Sequence, residues 1–339
     1  MHYLITGHTG FKGSWLSLLL QMQGHIVSGV ALDPQEKSLF NQAELSNIFE
    51  NDVRLDIRKR AEIARVVEFI NPNAIIHLAA QSLVGESYQD PIQTFDTNVI
   101  GTLNLLEATK KLKNLKATLI ITTDKVYKNL NHLRSFAETD ELGGDDPYSA
   151  SKVAADIAAQ SWIKNFASSP VAIARAGNVI GGGDWALNRI IPDLVNAYST
   201  DQIPILRNPN AIRPWQHVLD CLNGYMLLVE KQITTGIGGV WNFGPNDTKC
   251  YPVSQLVSEF SKKWGIKTNP ATIDRKNFPE EKQHLMLNSD KARKELNWTD
   301  KLDFQDTIDW TVSWYKLSEL RPARDLCEEQ IKKYLGMFS

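Results

Sequence analysis

The chain has 339 residues, of which 42% are hydrophobic, so it is long enough to bury a sizeable core in one large α/β domain or in two lobes. Its 37 Lys and Arg residues nearly balance 39 Asp and Glu residues, and the resulting net charge of -2 argues against a nucleic acid as the natural partner. Cys221, Cys250 and Cys327 lie far apart in the sequence, a spacing that matches neither a disulfide framework nor a paired thiolate metal site. We therefore expect a reducing, cytoplasmic setting.

The sequence contains no pattern typical of export or membrane insertion. Its most apolar early stretch, residues 15–20, is short and follows Lys12, whereas a secretory signal places its basic residues before a longer apolar run. A window of about 18 uncharged apolar residues, which a spanning helix needs, does not occur. We expect a soluble protein that has no membrane partner.

Apolar runs alternate with segments of helical spacing through the first 180 residues or so. The pattern predicts strands over 3–6, 26–32, 74–79, 118–122 and 171–176, and helices over 13–22, 58–70, 94–111 and 149–166. Strands that lack polar alternation and alternate with helices indicate a parallel sheet covered on both faces. The predicted fold class is therefore α/β, with a Rossmann-type doubly wound parallel sheet.

After Gly177 this alternation stops, and turns rich in glycine and proline separate irregular elements. Helical spacing returns near the end of the chain, where Trp298, Trp310 and Trp314 are predicted to be buried. We expect a smaller C-terminal substrate-binding lobe of residues 177–216 and 244–339. The cofactor-binding domain would contain residues 1–176 plus about 217–243.

The segment TGHTGFKG places Gly7, Gly10 and Gly13 between a predicted strand and a predicted helix. Glycines at this turn let the backbone approach a pyrophosphate, which binds the N–H groups at the start of the helix, so the segment predicts a dinucleotide site. Asp33 follows the second strand and is placed to accept hydrogen bonds from a ribose, which favours NAD over NADP, although Lys37 nearby weakens this argument. The alternatives are a tight turn without a ligand and an exposed loop carboxylate.

Tyr148 and Lys152 lie four residues apart at the predicted start of a helix, in PYSASK, and so share one helical face. A tyrosine acts as a base only after losing its proton, and lowering its pKa from about 10 to about 7 needs roughly 4 kcal/mol of favourable charge interaction. Lys152 and an oxidised nicotinamide are both positive and could supply it. Thr123, Asp124 and Lys125 follow the fifth strand, at the sheet edge where catalytic groups gather. Alone, the Tyr–Lys spacing is often an accident of helix composition.

The chain resembles the extended short-chain dehydrogenase/reductases and, among them, the CDP-glucose branch of the nucleotide-sugar 4,6-dehydratases. The resemblance covers nearly the whole chain. It rests on motifs in the family's order: GHTGFKGSWL, HLAAQSLV, TNVIGTLNLLEA, TTDKVY, DPYSASK, RAGNVIGGGDWA, RNPNAIRPWQHV and NFGPND. GGGDWA and IRPWQHV discriminate best, because many specificities share the glycine loop and the Tyr–Lys pair.

This resemblance implies an intramolecular redox cycle on NAD. Tyr148, aided by Thr123 and Lys152, removes the proton of the sugar 4-hydroxyl while the C4 hydride moves to NAD. Asp124 protonates the departing 6-hydroxyl, a base removes the C5 proton, and hydride returns to C6. The dTDP-glucose enzymes have a glutamate after this aspartate, whereas Lys125 stands here, as in the CDP-glucose branch. Lys125 would be the C5 base only when neutral.

The resemblance also implies the binding residues. Guanidinium groups grip phosphate oxygens in bidentate fashion, and the implied substrate-binding residues are Asn178, Arg189, Arg213, Trp215 and His217. A core role for Trp215 is an equal alternative. The implied cofactor contacts, besides the glycine loop, Asp33 and the Tyr–Lys pair, are Phe11, Asp56, Ile57, Leu78, Ala79, Ala80, Gln81 and Asn98. His77, inside an apolar strand, is expected to be a core histidine. The histidines show no ligand spacing, so we expect no metal.

Two segments depart from the branch. Members usually carry a proline and one or two arginines where this chain has Ser82, Gly85 and Glu86, which leaves the identity of the sugar or the nucleotide open. The segment 128–138 also departs from the aromatic-rich form usual in this loop.

Two other functions stay open from the sequence. A nucleotide-sugar 4-epimerase or 4-keto reductase needs Tyr148 and Lys152 but not the Asp124–Lys125 pair, and a non-catalytic NAD-binding regulator could keep the fold alone. The predicted helices 94–111 and 149–166 have apolar residues on more than one face. Together with the resemblance, they predict a homodimer through a four-helix bundle.

Overall fold

The computed structural model describes residues 1–245, 250–266, 271–272 and 282–338. The last two residues of the NFGPND motif and parts of the predicted lobe between 267 and 281 lie outside the described residues. Within the described part of the chain, no helix is long and apolar enough to cross a membrane.

Seven of the described strands form one parallel sheet in the order β11-β6-β5-β4-β1-β2-β3. They are β1 His2–Thr6, β2 Ile26–Ala31, β3 Asn51–Arg54, β4 Ala74–His77, β5 Ala117–Thr123, β6 Val171–Ala176 and β11 Gly239–Phe243. Side chains alternate between the two faces of the sheet: Ile5 and Ile76 join one hydrophobic cluster, whereas Leu4 and Ile75 join another. The predicted Rossmann-type doubly wound sheet is confirmed.

Three short strand pairs lie outside this sheet: β7 Val179–Ile180 with β10 Gln216–His217, β9 Ile212–Arg213 with β12 Tyr251–Pro252, and β8 Ile205–Leu206 with β13 Ala271–Thr272. The described helices of the first half are α1 Phe11–Met22, α2 Leu39–Gln42, α3 Arg60–Ile70, α4 Val84–Gln89, α5 Pro91–Phe95, α6 Gly101–Thr109 and α7 Pro147–Asn165. Those of the second half are α8 Ile190–Ser199, α9 Val218–Thr235, α10 Val253–Trp264, α11 Asp290–Leu296, α12 Phe304–Leu317 and α13 Ala323–Leu335.

The helix predicted over 94–111 is instead three consecutive segments: α5, a π-helical turn Asp96–Ile100, and α6. In the wider turn, Asn98 donates to the carbonyl of Gln81 (3.0 Å) and to Ser151 Oγ (2.8 Å). Hydrophobic spacing cannot reveal such a turn, because its effect on the pattern is a shift of one residue.

The strand predicted over 74–79 ends at His77, and the chain then leaves the sheet edge as a loop. His77 is buried, and its ring lies between two threonine hydroxyls, with Nδ1 2.6 Å from Thr6 Oγ1 and Nε2 2.9 Å from Thr102 Oγ1. Burial lowers the pKa of His77 to about 3, so it stays neutral as a core residue.

Asp220 of α9 joins the end of the chain to the sheet. Its buried carboxylate accepts hydrogen bonds from the Lys301 and Leu302 amides (2.8 and 3.1 Å) and from the Tyr334 hydroxyl (2.7 Å), and its carbonyl accepts one from the Trp298 indole (3.0 Å). Trp298, like Trp310 and Trp314, is buried, as its spacing predicts. Since α9 packs against β5 and β6, the last two helices are tied to the centre of the molecule. The division into two domains stays a prediction.

Candidate active site

The glycine loop forms the strand-to-helix turn between β1 and α1. Gly7 has a φ of +76°, and a Cβ there would lie 2.7 Å from the amide nitrogen of Ala79 in the loop after β4. A Cβ at Gly13 would overlap the carbonyl of Gly7. Both glycines are therefore required by close backbone contacts, and the amides at the start of α1 are left to bind an anion such as the NAD pyrophosphate. Gly10 is the N-cap of α1, and Phe11 is its first residue.

The adenosine side is bordered by charged residues. Asp33 is exposed after β2, with Oδ1 3.5 Å from Arg54 Nε, and it lines a groove with Pro34, Phe40 and Arg54. The Asp56 carboxylate accepts hydrogen bonds from the amide and the guanidinium of Arg58, which lowers the pKa of Asp56. The exposed Asp33 carboxylate and the groove that it lines have room for a ribose.

Ile57, also a predicted cofactor contact, has its side chain buried in the core beneath α3 and α6. Only its backbone is left to border a ligand. Its role in binding the cofactor stays a prediction.

The loop after β4 contains Leu78, Ala79, Ala80 and Gln81, and Asn98 determines its conformation. The Gln81 amide donates to Asn98 Oδ1 (2.8 Å), and the Asn98 side chain returns a hydrogen bond to the Gln81 carbonyl. This reciprocal pair holds the loop at the carboxyl edge of the sheet, where ligands of open α/β sheets bind. The residues predicted to contact the nicotinamide therefore lie beside the glycine loop.

The predicted catalytic residues come together where β5 ends. Thr123 is the last residue of β5, and its hydroxyl donates to Asp124 Oδ1 (2.9 Å) and accepts from the Lys125 amide (3.3 Å). Lys125 Nζ lies 6.0 Å from the centroid of the Tyr148 ring. Lys152 is buried on α7 and donates from Nζ to the Ile121 carbonyl (2.9 Å). A phenol, a carboxyl group and two amines thus lie together at the carboxyl end of β5.

Burial raises the pKa of Tyr148 to about 12, and the negative charge of Asp124 acts in the same direction. A hydrogen bond with Thr123 and the positive charge of Arg189 oppose this shift. From the sequence, Lys152 and an oxidised nicotinamide were predicted to supply the opposing charge. Burial and the nearby Lys12 instead lower the pKa of Lys152 itself, to about 8.

Asp124 is enclosed by the segment after β6. Its carboxyl group occupies the space that a side chain at position 177 would need, so glycine is required there. Asn178, with a φ of +48°, donates to Asp124 Oδ2 (3.2 Å). Burial raises the pKa of Asp124, while the charges of Lys125 and Arg213 oppose the shift. A carboxyl group with a raised pKa is suited to donate a proton.

The predicted substrate residues separate into two groups. Arg213 acts electrostatically on Asp124, and Arg189 acts on Tyr148, so both guanidinium groups lie near the reaction centre. Trp215 is buried, and its indole donates to the Tyr251 carbonyl (3.0 Å), which agrees with the core alternative.

His217 requires a correction. It is fully buried, its ring lies edge-on to Trp15 and Trp310, and its Nδ1 accepts from the Leu219 amide (3.2 Å) as the N-cap of α9. It has no surface to offer a ligand, and in this structure its role is to cap a helix. In the sequence His217 lies two residues after Trp215, close to Arg213. This spacing does not show that β10 directs the His217 side chain into the core.

Asp184 has a role that was not predicted from the sequence, although it lies in the GGGDWA motif. Its carboxylate accepts from Arg189 Nη1 (3.1 Å), and its carbonyl accepts from the Tyr315 hydroxyl (2.6 Å). An acidic residue five positions before a predicted phosphate-binding arginine was the available signal.

Gly7→Ala is expected to weaken NAD binding at least tenfold, because the new methyl group pushes the loop after β4 away from the glycine turn. Gly24→Ala is the matched control: its φ of +79° carries a similar backbone cost of about 1 kcal/mol, and its Cβ meets nothing within 4 Å. Calorimetric titration with NAD, on variants whose folding is checked by circular dichroism, compares the two. Equal NAD affinities for the two variants would contradict the role given to Gly7.

The model of the GDP-mannose 4,6 dehydratase family matches residues 4–311. A CDP-glucose 4,6-dehydratase from Salmonella typhimurium is 41% identical over 92% of this chain and 89% of its own length. A dTDP-glucose 4,6-dehydratase from Haemophilus influenzae is 30% identical over 93% of this chain and 98% of its own. Among solved structures, dTDP-glucose 4,6-dehydratase from Bacillus anthracis in complex with NAD superposes with a TM-score of 0.79 at 26% identity, covering 93% of this chain and 96% of that one.

These similarities extend over almost the whole chain and agree with the resemblance found in its motifs, with the glycine turn that accommodates NAD and with the Tyr–Lys pair at the sheet edge. The chain belongs to the GDP-mannose 4,6 dehydratase family, within the extended short-chain dehydrogenase/reductases.

Proposed function

We propose that this protein is an NAD-dependent nucleotide-sugar 4,6-dehydratase that converts CDP-glucose to CDP-4-keto-6-deoxyglucose. The observation that carries the proposal is the position of Asp124 and Lys125 in the pocket of Tyr148, because elimination of water needs an acid and a base that epimerisation does not. The similarity to a CDP-glucose 4,6-dehydratase supports the choice of substrate. The product is a deoxysugar nucleotide, which places the enzyme in deoxysugar biosynthesis.

NAD, held at the turn of Gly7, Gly10 and Gly13, would supply a reversible hydride acceptor, so no reduced cofactor would accumulate. Tyr148 removes the proton of the 4-hydroxyl. Thr123 aids it: its one hydroxyl proton donates to Asp124 in the structure and would favour the ionised phenol on turning to Tyr148. Lys152, anchored to the Ile121 carbonyl, contributes a positive charge to the same pocket while it is protonated.

Asp124 protonates the 6-hydroxyl as water leaves. Its burial favours the protonated form that this step needs, and Thr123 and Asn178 hold the carboxyl group in place. Lys125 follows directly in the chain and is partly buried beside the Tyr148 ring, so we assign its amine to take the C5 proton and to return it when hydride adds at C6. Arg189 and Arg213 bind the diphosphate of the substrate, with Asn178 beside them.

The direct test is mass spectrometry of CDP-glucose after incubation with the purified protein and NAD. We expect a product lighter by one water, with no net change in absorbance at the wavelength of reduced NAD. A stereoisomer of unchanged mass would overturn the proposal in favour of an epimerase. Bound NAD without conversion of CDP-, dTDP-, GDP- or UDP-glucose would indicate the regulator.

Lys125→Ala is expected to lower the rate of water loss at least about 100-fold, the usual contribution of a general base, and to leave NAD affinity unchanged. Lys128→Ala is the control, because this exposed lysine three residues later pairs with Glu141. An unchanged dehydration rate in Lys125→Ala would exclude this lysine as the C5 base.

The dehydration rate should increase with pH, since the base is the ionised form of Tyr148. Burial raises the pKa of this tyrosine to about 12. Thr123→Val removes a hydrogen bond that favours this form, which raises the pKa of Tyr148 further. The acid limb of the pH–rate profile should therefore move upward by about one pH unit, as expected for a hydrogen bond to a charged group. Thr123→Ser should restore the wild-type profile. A limb that stays in place in Thr123→Val would contradict this role.

We also propose a homodimer held together by a four-helix bundle. Each protomer contributes two helices: the continuous segment of α5, its π-helical turn and α6 is one, and α7 is the other. Supporting this, apolar side chains are exposed on α5, its π-helical turn and α7, namely Ile92, Phe95, Ile100 and Ile157, and Tyr88 is exposed on the adjacent α4. Adjacent exposed apolar groups of this size are typical of an interaction surface. Cys221 and Cys327 are buried thiols, which agrees with a cytoplasmic location.

Ile157→Glu is expected to convert the dimer to a monomer, because it places a charge at the centre of this surface. Phe69→Glu changes a more exposed apolar residue on α3 and should leave the dimer intact. Light scattering coupled to size-exclusion chromatography gives both masses. A dimer that persists in Ile157→Glu would place the interface elsewhere.

A further inference from the structure

The guanidinium of Arg189 is held from two sides. Nη1 donates to Asp184 Oδ2 at 3.1 Å, and Nη2 donates to Ser82 Oγ at 3.0 Å. Asp184 follows β7, whereas Ser82 follows the loop after β4, so the two partners come from segments about 100 residues apart. Arg189 therefore connects the predicted substrate lobe to the predicted cofactor domain.

Both partners are themselves held by neighbours. Asp184 is nearly buried; its Oδ1 accepts from the Ala186 amide (3.2 Å), and its carbonyl accepts from the Tyr315 hydroxyl on α12. Ser82 comes directly after Gln81, which Asn98 holds by two hydrogen bonds. A side chain that bridges two such anchors loses much of its rotational freedom before a ligand arrives, which reduces the entropy lost on binding.

The bridged guanidinium faces the reaction centre and stays accessible. Burial raises the pKa of Tyr148 and lowers the pKa of Lys12; the Arg189 charge opposes the first shift and adds to the second, so it lies near the phenol and near the start of α1. About a third of the Arg189 side chain is exposed, which lets a dissolved anion reach it.

The segment SLVGESY, residues 82–88, contains no cation of its own. A Cβ at Gly85 would meet nothing within 4 Å, and Glu86 is exposed and negative. Positive charge at this rim of the pocket is therefore brought by Arg189 from the opposite segment, and the hydroxyl of Ser82 is the contact that holds it there.

We propose that Ser82 is a positioning residue that, with Asp184, aims the Arg189 guanidinium at the diphosphate of the nucleotide sugar. The inference rests on the proposed function for the identity of the ligand and extends it to a residue at which this chain departs from its branch. The affinity for the nucleotide diphosphate then depends on a hydroxyl supplied by the cofactor side of the pocket. Ser82 touches neither the reacting carbons nor their protons in this scheme, so its effect is on substrate binding.

The test is a double-mutant cycle with Ser82→Ala and Arg189→Ala, using calorimetric titration of the NAD-loaded protein with CDP. Ser82→Ala should weaken CDP binding about three- to tenfold and raise the KM for CDP-glucose by a similar factor, with kcat and NAD affinity unchanged. Ser82→Thr keeps the hydroxyl and should retain wild-type affinity. Arg189→Ala should weaken CDP binding further, and adding Ser82→Ala to it should have no additional effect.

Unchanged CDP affinity in Ser82→Ala would overturn the inference, and so would an equal loss in the Arg189→Ala background, since Ser82 would then act without Arg189. A fall in kcat at constant KM would equally contradict it. If CDP does not bind the wild-type protein, UDP, dTDP and GDP are titrated in turn. The failure of all four nucleotides to bind would overturn the inference. Because these titrations need no turnover, a cycle that holds in a protein unable to dehydrate CDP-glucose would refute the proposed function and leave the inference standing.

Discussion

The catalytic arrangement depends on the buried ion pair between Arg175 of β6 and Asp156 of α7. Arg175 donates to both carboxylate oxygens, at 2.9 and 2.7 Å, while Thr122 of β5 donates to one of them and Arg175 also donates to the Tyr127 hydroxyl. Buried charges are costly unless they are fully paired, so this network admits one relative placement of α7, β5 and β6. Asp156 lies one turn after Lys152, and Tyr127 follows the Asp124–Lys125 pair. The ion pair therefore determines how the Tyr–Lys helix meets the end of β5.

Burial dominates the electrostatics of the pocket. It raises the pKa of Tyr148 and of Asp124 and lowers that of Lys152, which favours the neutral form of each group. The positive charges of Arg189 and Arg213 and the hydrogen bonds of Thr123 oppose the pKa shifts of Tyr148 and Asp124. Neutral groups that a substrate or a cofactor charge can readily ionise are suited to successive proton transfers. The bound diphosphate and NAD would shift this balance further, because both bring charge into the pocket.

The sequence predicted the sheet well where strands are mostly apolar, as in β4, β5 and β6, because parallel strands buried on both faces leave a nearly continuous hydrophobic run. It did not predict β3, whose Asn51, Asp52 and Arg54 are polar because it is the edge strand of the sheet. The π-helical turn at Asp96–Ile100 also escaped prediction. Hydrogen bonds from Asn98 to Gln81 and Ser151 stabilise that turn, and they join residues that are distant in the chain.

By itself the sequence determined the properties that depend on local pattern: the parallel α/β sheet, the glycine turn, the Tyr–Lys spacing on one helical turn and the acid–amine pair after β5. These follow from short-range geometry, since residues on one turn or at one strand end have known relative positions. Only the tertiary structure decided that His217 is buried between two tryptophans and that Arg189 is shared by Asp184 and Ser82. Burial and long-range hydrogen bonds depend on how distant segments pack against one another. The spacing of residues along the chain does not encode this packing directly.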